Sequence, residues 1–154
     1  MALPKVGDKA PDFKSINQNG EEVKLSALKE PVVLYFYPKD DTPGCTVEAC
    51  AFRDAYEAFT DAGATVIGVS SDTVEELARF AASNRLPFTL LSDADGAVRR
   101  TWGVPKDLFV LPGRVTYILD TQGIVRHVFR SAVKMSKHAE EAVRAVRELT
   151  GRGG

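Results

Sequence analysis

Short apolar runs recur along the chain, each bounded by charged or turn-forming residues. The run VVLYFY (32–37), opened by Pro31 and rich in β-branched and aromatic residues, predicts a strand buried on both faces. ATVIGVS (64–70) predicts a second such strand and FTLLSD (88–93) a third, followed by a turn at DADG. A helical pattern runs from about Cys45 to Ala62 and stops at Gly63, a suitable residue just past a helix end. Asp72, with Glu75 three positions on, resembles a capping box and opens a helix to about Asn84. RVTYILD and IVRHVFR flank Thr121-Gln122-Gly123 and predict an antiparallel hairpin; an amphipathic helix follows over about Ser136 to Leu149. Upstream, Asn19-Gly20 between apolar pieces around Phe13 and Val23 predicts an N-terminal hairpin.

Strands alternating with helices, then a hairpin and a last helix, is the order of an α/β protein with a mixed central sheet flanked by helices. It suits a thioredoxin-like fold with an N-terminal β-hairpin extension. At 154 residues and 44% hydrophobic composition, the chain suits one domain over 1–150, with GRGG (151–154) a frayed tail. The formal charge of −1 supplies no general attraction to nucleic acid or to anionic membrane. No window reaches the ~18 consecutive apolar residues of a membrane span. The opening MALPKVGDKAPDF lacks the apolar core of a secretory leader, so a cytoplasmic protein is expected.

Both cysteines fall within PKDDTPGCTVEAC (38–50), immediately after the first buried strand. In open α/β sheets, ligand chemistry collects beyond the carboxyl ends of the strands, so Cys45 stands at a candidate site. On a helical wheel with Phe52 at zero, Phe59 and Tyr56 fall within about 40°, forming the stripe that must face the sheet. Cys45 lies near 20°, inward and in the first turn, and Glu48 near −40° beside it; Cys50 lies near 160° among Arg53, Asp54, Glu57 and Asp61, on the wet face. Five residues along an ideal helix separate Cα atoms by roughly 8.5–9 Å, beyond the ~7 Å that a disulfide spans. The two thiols therefore join only if the first turns of the helix unwind. At a helix N-terminus, partial positive charge and free N–H groups favour a thiolate, the nucleophilic form of cysteine. A bare carboxylate at Glu48 opposes this and calls for a cationic partner, although Glu48 is equally readable as a plain helix-dipole carboxylate.

Pro38, Thr42 and Cys45 carry the proline–x3–threonine–x2–cysteine signature of peroxiredoxins. Together with PGCTVEAC, GDKAPDF, VIGVSSD, LPFTLLSDADG and RVTYILD, the chain resembles the peroxiredoxin Q group, also called bacterioferritin comigratory proteins, over nearly its whole length. The resemblance implies a thiol peroxidase acting on hydrogen peroxide or organic hydroperoxides. Cys45 would be the peroxidatic cysteine and Cys50 the resolving cysteine, joined in an intramolecular disulfide during turnover. Thr42 would hydrogen-bond the peroxide and the thiolate, Pro38 would shield the sulfur, Arg114 would stabilise the thiolate and polarise the peroxide, and Glu48 would orient Arg114. It further implies a peroxide substrate, thioredoxin or a similar dithiol protein as reductant, a monomer, and no metal or organic cofactor. Only PKDLFVLPG (105–113) stands between Gly103-Val104 and Arg114, a shorter segment than many members have. A zinc site would need about four ligands, and His127 and His138 lie far from the cysteines in sequence. The alternative is a thioredoxin-fold disulfide oxidoreductase or redox adaptor without peroxidase activity.

Overall fold

The computed structural model describes residues 4–37, 43–102, 115–130 and 135–151; of these, the side chains of 43–45, 135 and 136 are not described. The element order is β1 (Lys14–Asn17), β2 (Glu22–Lys24), β3 (Val32–Phe36), α1 (Pro43–Asp54), α2 (Tyr56–Asp61), β4 (Thr65–Ser70), α3 (Val74–Asn84), β5 (Thr89–Ser92), α4 (Ala97–Trp102), β6 (Val115–Leu119), β7 (Val125–Arg130) and α5 (Met135–Thr150). One seven-stranded sheet runs in the order β2-β1-β5-β4-β3-β6-β7. The β3–β4 and β4–β5 pairs are parallel; β3–β6, β6–β7, β1–β2 and β1–β5 are antiparallel. The expected α/β class with a mixed sheet is thus observed, and both hairpins form where the turn signals place them.

Alternation along β3 divides the core. Val33 and Tyr35, with Tyr37 just beyond the strand, join Phe52, Phe59, Leu77, Phe80 and Ala142 on one side of the sheet. Val32, Leu34 and Phe36 join Ile67, Leu91, Trp102 and Tyr117 on the other. All five β3 residues are buried, as a central strand covered on both faces requires. Gly68 of β4 is opposite Tyr35 in the register, and a Cβ there would lie 2.8 Å from Tyr35 Cζ. Glycine is therefore needed in VIGVS to admit the Tyr35 ring, which in turn stacks on Phe52 of α1 with centroids 4.3 Å apart. A small residue in one strand thus seats the helix that carries both cysteines.

Three local expectations are revised. The single helix expected over Cys45–Ala62 is two, because Ala55 takes ψ near 1° and Ala58 N–H donates to Ala55 O in a tightened turn. Phe59 nonetheless reaches the core beside Phe52, at 6.0 Å between centroids. The capping box is one residue later than expected, at Thr73 and Glu76. Asp72 is buried and accepts a 2.8 Å hydrogen bond from Ser70 Oγ, so its carboxylate is committed to the strand end. Helix α4 was not anticipated: at six residues it is too short for periodicity to reveal. Among the described residues, no helix is long and apolar enough to cross a membrane.

Candidate functional site

Helix α1 begins at the carboxyl end of β3, with Cys45 in its first turn and Cys50 in its middle. No acidic residue lies in that first turn, so the partial positive charge of the helix start is not offset from within it. Pro38, Thr42 and Arg114, expected to line the site, lie outside the described residues, as do the side chain of Cys45 and the segment 105–113.

Glu48 points inward as the wheel predicts and is completely buried. Its described neighbour is an imidazole: Glu48 Oε2 lies 3.5 Å from Nδ1 of His138 on α5, also completely buried. The same Nδ1 is 2.7 Å from the hydroxyl of Thr116 on β6, and the Phe129 ring on β7 meets the imidazole in a T-shaped contact with centroids 4.8 Å apart. Glu48, His138 and Thr116 thus join α1, α5 and β6 through buried polar atoms on the sheet face that α1 covers. Neither His138 nor Thr116 was singled out from the sequence. A signal existed, since His138 shares the i, i+4, i+7 stripe with Ala142 and Ala145, both buried against the core.

Cys50, expected on the wet face, is half-buried, and its Sγ lies 3.8 Å from Asn84 Oδ1. The difference comes from α3, whose C-terminal end covers that side of α1. Asn84 Nδ2 donates to Phe80 O, turning its amide oxygen toward the thiol. Arg53 donates from Nη1 to the Asn84 carbonyl at 2.8 Å, satisfying an acceptor left over where α3 ends in the left-handed Arg85. Val47, between the two cysteines, is 52% exposed.

On the opposite face, α4 supplies a further residue that sequence reasoning missed. Asp93 accepts hydrogen bonds from the Val98 and Arg99 amides at 2.9 and 3.0 Å and so caps α4. Arg99 is buried, lies over the Phe36 ring at 5.9 Å, and donates from Nη2 to the Tyr37 carbonyl. It therefore grips the chain where β3 leads toward the cysteine segment. Arg99 and Arg100 are adjacent in sequence, and only packing reveals which one is buried.

The AhpC/TSA family profile matches residues 6–128. The chloroplastic peroxiredoxin Q of Triticum aestivum is 50% identical over 145 residues, 93% of this chain and 67% of that protein. That of Sedum lineare is also 50% identical over 145 residues, covering 93% of this chain and 78% of the relative. The crystal structure of peroxidoxin BcpB from Mycobacterium tuberculosis superposes with a TM-score of 0.87 at 40% identity, covering 95% of this chain and 98% of that one. The fold is thioredoxin-like, as the element order predicts. The expected cytoplasmic location is corrected: the two peroxiredoxin Q relatives named here are chloroplastic proteins, so the location is not carried by the sequence reading. A missing apolar core argues only against a secretory leader and does not by itself select a compartment.

Proposed function

The chain belongs to the AhpC/TSA family, in its peroxiredoxin Q group, and on that premise we propose Cys45 as the peroxidatic and Cys50 as the resolving cysteine. It is a thiol-dependent peroxidase of the atypical two-cysteine type. In the proposed cycle the Cys45 thiolate attacks a peroxide oxygen and the O–O bond breaks. Water or an alcohol leaves, and Cys45 becomes a sulfenic acid. The Cys50 sulfur then attacks the sulfenic sulfur, forming the S–S bond as the S–O bond breaks and water departs. A dithiol protein of the thioredoxin type returns the two electrons by thiol–disulfide exchange.

Thr42 and Arg114 are assigned to hold the peroxide and the thiolate, Pro38 to exclude water, and Glu48 to orient Arg114. Residues 1–150 act as one domain, with the tail 151–154 outside it, and the cycle closes within a monomer. The observation that carries this reading is the placement of both cysteines in one helix at the carboxyl end of a central strand, with the first in the opening turn. Peroxide consumption coupled to a thioredoxin system tests it. Cys50→Ser should react once with peroxide and then stall or proceed to sulfinic acid, seen by mass spectrometry. Continued turnover by Cys50→Ser at the wild-type rate would overturn the resolving role. Size-exclusion chromatography with light scattering checks the monomer.

A further inference from the structure

We propose that Glu48, His138 and Thr116 form a latch that holds the second turn of α1 wound and sets how fast Cys50 reaches an oxidised Cys45. This rests on the cysteine roles proposed above. Helix α1 is continuous from Pro43 to Asp54, and two thiols five residues apart on an intact helix are too distant to bond. The turn between them must open, and Glu48 is the one ionisable side chain between the two cysteines. Of the other side chains described in that turn, Val47 is 52% exposed and Ala49 buries a single methyl group.

His138 suits the fixed side of such a latch. Its ring is held by Thr116 on β6 and Phe129 on β7, so it stays with the sheet when α1 moves. A polar tie also suits a contact that must open repeatedly. Separated from its partner, a buried carboxylate is costly where it stands but well solvated once the turn unwinds into water. An apolar anchor at position 48 would lose its burial with no such recovery. His138 is thus a positioning residue for disulfide formation, acting through Glu48 rather than on the reacting sulfurs.

The test separates the two chemical steps. Reduced protein is mixed with hydrogen peroxide, quenched with acid at intervals, and its sulfenic and disulfide forms are counted by mass spectrometry. Glu48→Gln, which keeps the side-chain shape, and His138→Ala should each speed conversion of sulfenic acid to disulfide by about tenfold, the scale of coupling between residues in contact. The double variant should be no faster than either single one, and His138→Asn, which keeps a polar group near the Nδ1 position, should return the rate toward wild type. Amide exchange in the reduced proteins should rise over residues 46–50 while α5 and β6 stay protected. Unchanged exchange there in folded Glu48→Gln, or a disulfide rate within about twofold of wild type, overturns the latch. If His138→Ala fails to fold, Glu48→Gln decides alone. Absence of any Cys45–Cys50 disulfide in the wild type would instead overturn the cysteine roles, and the exchange measurement on reduced protein would still judge the latch.

Discussion

The two sides of Cys50 within α1 are held by different forces. Toward the C-terminus, Phe52 is fully buried and stacked on Tyr35, whose ring lies over Gly68, and Arg53 reaches the end of α3. Toward the N-terminus, Val47 faces water, and among the described residues Glu48 meets His138 in a buried polar contact. Apolar stacking pins one half permanently, because its burial is lost in any displaced position. The polar pair holds the other half only as long as burial is kept. Apolar anchoring is therefore concentrated in the C-terminal half of one helix, away from the turn proposed to open.

The sharpest challenge to that division is to remove each half's principal group in turn. Cys45→Ser should abolish peroxide turnover, by at least about a thousandfold, since the loss of a nucleophile is not compensated by its neighbours. A coupled peroxide assay checks this. Turnover surviving in that variant would end the assignment. Phe52→Ala should instead cost about 3–5 kcal/mol of folding stability by opening a cavity against Tyr35, Phe59 and Phe88, read from urea unfolding. A loss under about 1 kcal/mol would mean that the C-terminal half is not the anchor.

Gly68→Ala tests the same anchor from the strand side. Its Cβ meets the Tyr35 ring and Leu90, and displacing them should destabilise by about 1–3 kcal/mol, seen as a lower urea midpoint. Arg53→Ala leaves the Asn84 carbonyl without its donor and should cost about 1 kcal/mol, together with faster amide exchange at the end of α3. Val47→Ser, at an exposed position, should change stability by less than about 0.5 kcal/mol in the same titration. A larger effect would reveal apolar contacts in the N-terminal half and blur the comparison.

Much of the scaffold could be read from the chain because the signals are local. VVLYFY is β-branched, aromatic and bounded by Pro31, so a buried strand follows wherever it sits in space. Asn19-Gly20 and Gln122-Gly123 set their turns by backbone preference, with Gly20 and Gly123 both at positive φ. The inward direction of Glu48 follows from helical spacing relative to Phe52. Where two local signals compete, reading falls a residue short: Asp72 and Thr73 both suit a helix cap, and the Ser70 hydroxyl decides between them by taking Asp72.

The chain alone carries the PGCTVEAC motif and the resemblance to peroxiredoxins, because a motif is a property of neighbours in sequence. Which groups meet Glu48, which arginine is buried, and what covers Cys50 depended on contacts between α1 and α5, α4 and β3, and α3 and α1. Those partners stand ninety, sixty-two and thirty-four residues apart, and no local preference encodes them. Local free energies choose helix, strand and turn, whereas a buried charge finds its partner only after the whole chain has closed around it.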